Sequence, residues 1–144
     1  MPFQLPIGAE AEFEGVVDLV KMKEIIWDAD AAMGSAYHEQ DIRESLQEIS
    51  EEYREKMLET LSEVDGNEDF AEKFLEGEEF SEAELKAAIK AATLAMAVVP
   101  MTPGTAFKNK GVQTLLDAVV DYLPSPVESA AITGTLMDDE EVEV

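Results

Sequence analysis

Residues 98–111 combine the signals of a strand, a loop and the start of a helix: Val98-Val99-Pro100-Met101-Thr102-Pro103-Gly104-Thr105-Ala106-Phe107-Lys108-Asn109-Lys110-Gly111. The two valines predict a short buried strand, because the prolines that follow forbid helix. Two lysines and an asparagine lie in a loop between two glycines, and an amphipathic pattern begins after Gly111. Strand, loop and helix in this order predict a βα unit of an α/β sheet.

The loop itself could bind a ligand. Gly104 and Gly111 permit tight backbone turns. The small residues Thr105 and Ala106 would let a planar ligand approach backbone N–H groups at the C-terminal end of the strand, where open α/β sheets bind ligands. An ordinary βα turn explains the same residues, and the loop taken alone favours that simpler interpretation.

The elements on either side of this unit follow from periodicity. Residues 3–8 predict a short strand at a sheet edge, because Pro6 cannot donate to a ladder. Residues 13–27 predict two short strands or a hairpin, and residues 28–41 a loop. The helix after the loop carries an apolar stripe that ends before Pro124: Val112, Leu115, Leu116, Val119, Val120 and Leu123. A possible strand spans 131–136, and the last seven residues suggest a tail or a cut edge.

The clearest predicted helix spans residues 42–64, with Asp41 as its N-cap. Its apolar stripe consists of Ile42, Leu46, Ile49, Tyr53, Met57, Leu61 and Val64. Its opposite face is almost wholly acidic: Glu44, Glu48, Glu52, Glu55, Glu59 and Glu63. Like charges one turn apart cost a helix roughly 0.2–0.5 kcal/mol per pair. Two interpretations stay open, a solvated face and an acidic docking surface.

Two shorter helices follow a break at residues 65–67. The first is predicted to bury Phe70, Phe74 and Leu75 and to end at Gly77. The second begins at a capping box, in which Ser81 and Glu84 satisfy backbone donors reciprocally. Its buried face is predicted to contain Leu85, Ala88, Ile89, Ala92 and Met96.

Composition narrows the classes of protein. The chain has 144 residues, 46% of them hydrophobic, and no cysteine. This length suits one domain or pieces of two. No apolar run approaches the roughly 18 residues that a membrane span needs, and no secretory pattern opens the chain. We expect a soluble, cytoplasmic protein without a membrane partner.

Charge points to the kind of partner. Ten basic residues against 33 acidic ones give a formal net charge of −23. Such a surface repels phosphate backbones, so we expect no direct nucleic-acid binding. A basic protein would be attracted instead. An acidic surface that serves only solubility is the other possibility.

No self-sufficient active site is visible in the sequence. His38 is the single histidine, which leaves no base for a hydrolase triad and, without cysteine, no transition-metal site. There is no Gly-x-x-x-x-Gly-Lys-Ser/Thr phosphate loop and no Asp-rich calcium loop. We therefore predict neither catalytic residues nor a metal site.

Five stretches together resemble bacterial translation elongation factor G, the ribosomal translocase GTPase. They are QLPIGAE (4–10), FEGVVDLVKMK (13–23), EEYREK (51–56), AFKNKGVQ (106–113) and LLDAVVDYLPSP (115–126). The resemblance runs in order over about residues 2–136. It implies an α/β fold with an α+β insertion: the C-terminal part of a P-loop GTPase sheet, carrying the inserted strand-and-helix subdomain called G-prime.

The resemblance also implies a division of the chain. Residues 1–9 would be a strand of the GTPase core, and residues 10–97 the G-prime insertion. Residues 98–124 would supply the last strand, the guanine-contact loop and the last helix of the GTPase domain. Residues 125–144 would be a linker and the start of domain II.

The site residues implied by the resemblance form two groups. Gly104, Thr105, Ala106 and Phe107 match the guanine-contact motif, with threonine in place of the usual serine. Glu55, Glu59 and Glu63 match the acidic helix that docks the basic C-terminal domain of the ribosomal stalk protein. GTP or GDP would then be the ligand of the full-length protein, and the ribosome its partner.

The family's P-loop, switch regions and Asn-Lys-x-Asp motif have no counterpart in this sequence. The resemblance thus implies a fragment of a GTPase that binds no nucleotide tightly and hydrolyses no GTP alone. The alternative is a stand-alone acidic interaction module that binds a basic partner.

Overall fold

A computed structural model describes residues 1–28, 34, 36–128, 133–135 and 141–143. The strands are β1 (Gln4–Ile7), β2 (Gly15–Asp18), β3 (Lys23–Trp27), β4 (Tyr37–Gln40), β5 (Thr133–Thr135) and β6 (Glu141–Glu143). The helices are α1 (Glu44–Ser62), α2 (Glu68–Leu75), α3 (Glu82–Leu94) and α4 (Val112–Tyr122). Short 3-10 turns span Glu10–Glu12 and Ala106–Lys108.

The main sheet is an antiparallel meander in the order β1-β2-β3-β4. Leu5 lies opposite Val17, and Val16 opposite Ile25. The predicted strand 3–8 and the predicted strand pair 13–27 are confirmed, with Pro6 in a strand at the end of the sheet. Strands β5 and β6 form a separate antiparallel pair. The arrangement is α+β, and the described residues contain no parallel GTPase-type sheet.

The predicted strand at Val98–Val99 is wrong. Val98 is buried but Val99 is exposed, and neither pairs with a strand. The segment makes a single parallel bridge, between Pro2 and Met101. The two hydrogen bonds of this bridge run from Met101 N–H to the Met1 carbonyl (2.9 Å) and from Phe3 N–H to the Met101 carbonyl (3.3 Å). Pro100 and Pro103 lack N–H donors, which prevents a longer ladder.

The core lies on both faces of the sheet. Because neighbouring strand residues point to opposite faces, Val17 joins the larger cluster while Val16 joins a smaller one. Besides strand residues, the larger cluster contains Met57 and Leu61 of α1, Phe70 of α2, and Leu85, Ala88, Ile89 and Ala92 of α3. The smaller cluster consists of Phe13, Val16, Ile25 and Trp27. Helices α1 and α3 are thus fixed against one side of the meander.

Helix α1 confirms the predicted periodicity but not its cap. Arg43, in extended conformation, occupies the N-cap position without a side-chain cap. Asp41 instead accepts a hydrogen bond from Lys23 Nζ at 2.5 Å. Within the stripe, Ile49 is exposed and Ser50 is buried in its place. Part of the preceding predicted loop is strand β4; residues 29–33 and 35 of that loop lie outside the described residues.

Both shorter helices begin where predicted and α2 ends where predicted, but α3 ends at Leu94, before Met96. Gly77 has a φ of +71° directly after α2, as its stop role requires. The capping box of α3 is complete: Ser81 N–H donates to Glu84 Oε2 (2.8 Å) and Glu84 N–H to Ser81 Oγ (3.3 Å). Two burial predictions are wrong, because Leu75 and Met96 are exposed. Met96 lies beyond the end of α3, so the helical period does not predict which way its side chain faces.

Helix α4 forms where predicted, yet its apolar stripe faces outward. All six stripe residues are exposed, whereas Thr114 and Tyr122 are buried. Strand β5 confirms the middle of the predicted strand 131–136, whose other residues lie outside the description. Strand β6 lies within the predicted tail, at residues 141–143. Nowhere in the described ranges is a helix both long and apolar enough to cross a membrane.

Candidate functional site

The acidic face of α1 is the larger of the two candidate sites. The six glutamates of the predicted stripe are all exposed: Glu44, Glu48, Glu52, Glu55, Glu59 and Glu63. They occupy one side because the opposite side carries Met57 and Leu61 into the core. The helical period therefore separates the buried and the acidic faces as expected.

Five of these six carboxylates, all but Glu52, have no cation partner among the described residues. Glu52 forms an ion pair with Lys56, at 2.5 Å between Oε1 and Nζ. Within the part of the chain that the structure describes, Glu55, Glu59 and Glu63 form no side-chain hydrogen bond or ion pair. Exposed charges of one sign, left without internal partners, are available to a cation from outside. The acidic face therefore has unpaired carboxylates both before and after the Glu52–Lys56 pair.

Long-range hydrogen bonds hold α1 in place as a platform. The Arg54 guanidinium donates through Nη1 to the carbonyl oxygens of Leu19 and Val20, the latter at 3.1 Å. At the start of the helix, Arg43 Nε donates to the buried carboxylate of Glu24 at 2.9 Å. Both contacts join α1 to the β2–β3 hairpin, so the acidic face has a defined orientation.

The second candidate site is the loop from Gly104 to Gly111. Thr105 and Lys110 form an antiparallel bridge, with N–H···O distances of 2.8 and 3.2 Å. A Cβ atom at Gly111, whose φ is +87°, would lie 2.9 Å from the Gly104 Cα and the Pro103 carbonyl oxygen. The close approach of the two glycines therefore requires glycine at position 111.

The lysines of this loop have structural partners. Lys108 Nζ donates to the Ala11 carbonyl (2.8 Å) and Lys110 Nζ to the Phe13 carbonyl (3.1 Å). Just beyond the loop, Gln113 accepts a hydrogen bond from Trp27 Nε1 at 3.2 Å. The two lysines thus hold the loop against the connection between β1 and β2, and Gln113 joins the start of α4 to β3.

Ligand access to this loop is open on one side. Gly104, Ala106 and Phe107 are exposed and Thr105 is half-buried. No strand directly precedes the loop, so the predicted position at the C-terminal end of a strand is wrong. A planar molecule could contact the backbone groups of the loop and the flat Phe107 ring. The described residues do not provide a second surface that would cover the other face of that molecule.

The structure does not join the two candidate sites. The loop contacts residues 11–13 and the hairpin, whereas the acidic end of α1 lies beside residues 95–98. Among the residues described, no contact links Gly104–Phe107 to Glu55, Glu59 or Glu63. Each site therefore has to be assigned a function by itself.

Sequence reasoning misses a cavity of about 290 Å³ between α4 and the sheet. Its lining includes Gln4, Asp18, Lys86, Asp121 and Tyr122. Lys86 Nζ lies 3.0 Å from carboxylate oxygens of both Glu82 and Asp121, and its hydrogen bond to Asp121 raises its pKa. The lining comes from distant elements, so no local sequence pattern could have shown it. No group of three metal-ligating side chains occurs in the described ranges.

Comparison with known proteins gives a likeness of fold. No family model matches the chain. A protein of Thermus thermophilus with a known crystal structure is similar over 88% of this chain, with 26% sequence identity and a TM-score of 0.72. This chain spans only 18% of the length of that protein. The fold described above thus occurs as one part of a much longer polypeptide.

Proposed function

We propose that this chain is the part of an elongation-factor-G-like translocase that docks the basic C-terminal domain of the ribosomal stalk protein. The acidic face of α1 performs the docking, and Glu55, Glu59 and Glu63 are its contact residues. The observation that carries the proposal is the exposure of these three carboxylates, without an internal cation in the described chain, on a helix fixed to the sheet.

Docking by such a face is fast, weak and sensitive to salt. The net charge of −23 attracts a basic domain before contact. Exposed ion pairs each contribute only about 0–1 kcal/mol, so several must form together. Salt at physiological strength reduces the Debye length to about 8 Å and weakens the attraction. These properties suit a factor that must bind and leave the ribosome repeatedly.

The loop from Gly104 to Phe107 has the second role in this proposal. In the full-length domain its backbone would contact the guanine base of GTP or GDP, and residues outside this chain would hold the phosphates. The outward apolar stripe of α4 supports a larger domain, because such a surface is normally covered by protein. We expect no GTP hydrolysis by this chain alone; turnover that persists after repurification would contradict that.

A stand-alone acidic module that binds some other basic protein is the second candidate. The observation that favours it is the meander sheet, whose four strands pair with one another and enclose a core within this chain. The two candidates share the acidic surface but differ in the partner and in the importance of Glu59 and Glu63.

Calorimetric titration with the stalk protein's C-terminal domain separates them. The variant Glu59→Lys/Glu63→Lys should weaken binding by at least about tenfold and flatten its salt dependence. The matched control is Glu44→Lys/Glu48→Lys, which makes the same charge change on the same face and should bind nearly as the wild type does. Equal losses in both variants would favour the second candidate, and no binding by the wild type would refute the first.

A further inference from the structure

The cavity between α4 and the sheet has a buried floor and an exposed rim. Its volume is about 290 Å³, near the lower end of the usual range for small-molecule sites. Seven of its lining residues are buried and form the floor: Phe3, Gln4, Asp18, Val20, Ile25, Thr114 and Tyr122. At the rim, Lys21, Glu39 and Asp117 are exposed. A small molecule that entered past this rim would meet both apolar and polar buried groups.

Tyr122 brings an unpaired hydroxyl to the floor. The residue is 3% exposed, and its ring packs edge-on against Phe3 with the ring centroids 5.3 Å apart. The hydroxyl forms no hydrogen bond with any described residue. Burial, and then the negative charge of Asp18, raises the pKa of this phenol, so the hydroxyl stays protonated at neutral pH. Because buried hydroxyls normally have a partner, this one is available to a ligand.

Asp18 brings a partly satisfied carboxylate to the same floor. Its Oδ1 accepts hydrogen bonds from the backbone N–H groups of Val20 (2.8 Å) and Lys21 (2.9 Å). Its Oδ2 has a contact only with Gln4 Nε2, at 3.5 Å, which is longer than an ordinary hydrogen bond. Asp18 is 9% exposed and forms no ion pair within the described chain. Since a buried charge without a partner is costly, a cation at Oδ2 would be bound favourably.

The charges around the cavity favour a cation over an anion. Lys21 Nζ is already paired, at 2.6 Å from Glu39 Oε1. Lys86 Nζ is paired as well, at 3.0 Å from Asp121 Oδ2. Against these two lysines the lining has four carboxylates: Asp18, Glu39, Asp117 and Asp121. Two of the four, Asp18 and Asp117, have no lysine or arginine partner among the residues described, so the field in the cavity is complementary to a positive charge.

The apolar part of the floor indicates the kind of cation. A hard metal ion needs several oxygen ligands at once, and the described ranges contain no group of three metal-ligating side chains. Phe3, Val20 and Ile25 instead supply apolar surface on the same floor as Asp18. An ammonium group on a short hydrocarbon body suits both features, because it combines three hydrogen-bond donors with a part that gains from burial.

We propose that this cavity binds a small primary amine in its protonated form. The ammonium group donates hydrogen bonds to Asp18 Oδ2 and to the Tyr122 hydroxyl oxygen. The hydrocarbon part lies against the apolar floor residues Phe3, Val20 and Ile25. Neither the acidic face of α1 nor the loop from Gly104 to Gly111 contributes a lining residue, so this site is independent of the proposed docking function.

Phenethylammonium is the probe, and NMR shift changes of the isotope-labelled chain report its binding. Phenethyl alcohol is the neutral control with the same hydrocarbon body. Sodium chloride at equal concentration controls for the general attraction of cations to a chain of net charge −23. The probe should bind saturably with a dissociation constant of about 1 mM, since a ligand of so few atoms has limited affinity. The largest changes should occur at residues 3–4, 18–25 and 114–122.

Two variants separate the charge from the hydroxyl. Asp18→Asn keeps an oxygen for the backbone N–H groups but removes the charge, and should weaken phenethylammonium binding at least about tenfold. Tyr122→Phe removes only the hydroxyl and should weaken it about fivefold. Asp65→Asn and Tyr53→Phe make the same changes outside the cavity lining and should bind as the wild type does.

Amide spectra of the free proteins show whether each variant is folded. Weaker binding in the two cavity variants, with both controls unchanged, supports the site. Equal shift changes from phenethylammonium and sodium chloride, equal affinity for phenethyl alcohol, or unchanged affinity of the cavity variants would overturn it. If Asp18→Asn does not fold, Tyr122→Phe and the alcohol comparison decide between these results.

Discussion

At the scale of single residues, the buried carboxylate of Glu24 is held by several hydrogen bonds at once. It accepts them from Arg43 Nε (2.9 Å), from the Arg43 backbone N–H (2.9 Å) and from Gln40 Nε2 (2.8 Å). A buried charge is tolerated only when it is paired in this way. The sequence could not show this pairing, because the partners are 16 and 19 residues away and Glu24 resembles any other glutamate of an acidic chain.

Replacing Arg43 by alanine should lower the free energy of unfolding by about 3 kcal/mol, because it leaves a buried carboxylate without its cation. Chemical denaturation measures this loss. The control is Lys23→Ala in the same strand as Glu24, since the pair of Lys23 with Asp41 is exposed and should cost less than about 1 kcal/mol. Equal losses in the two variants would contradict the structural role assigned to Glu24.

At the scale of elements, local signals are the most reliable. The capping box of α3 and the glycine after α2 lie where the sequence places them, because each depends on residues within one helical turn. Sequence reasoning misses strand β4 because all its residues, Tyr37 to Gln40, are exposed and show no apolar alternation. The strand forms only through pairing with β3, which is a long-range condition.

The start of α3 should make stability depend on pH. Hydrogen bonds from Lys73, and then from Ser81, hold the pKa of the Glu84 carboxyl at about 2, below its ordinary value of 4.5. A lowered pKa in the folded state adds stability that is present above pH 4.5 and is lost as the pH falls toward 2. Wild type should therefore lose stability relative to Glu84→Gln across this interval.

Urea unfolding at a series of pH values measures the difference between these two proteins. Glu72→Gln is the control, because Glu72 is exposed in α2 and has no side-chain contact in the described structure. A gap between wild type and Glu84→Gln that stays constant from about pH 7 to about pH 3 would show that the capping contacts do not depend on the charge.

At the scale of the whole molecule, α4 shows that the sequence predicts the position of a helix but not the packing of its faces. Periodicity correctly predicts a helix with one apolar face. It also suggests burial, yet Val120 of that face is 78% exposed and Tyr122 is buried. A pattern shows which side of a helix is apolar but not which neighbour covers it. The same limit explains the missed cavity and the missing strand at 98–99.

Because Leu116 and Val120 of the α4 stripe are 59% and 78% exposed, changing them should destabilise the fold little. Leu116→Ser/Val120→Ser should alter the free energy of unfolding by less than about 0.5 kcal/mol per site and should reduce binding of an apolar dye. Leu85→Ala, in the core, should cost about 2–5 kcal/mol. A large loss from the α4 variant would mean that the stripe is covered within this chain.

NMR of the labelled chain, titrated with the stalk protein's C-terminal domain, would show whether the C-terminal half of α1 docks a basic protein domain. The largest amide shift changes should occur at residues 55–65, and they should disappear in Glu59→Lys/Glu63→Lys. Changes confined to residues 104–108, or spread evenly over every acidic segment, would contradict it.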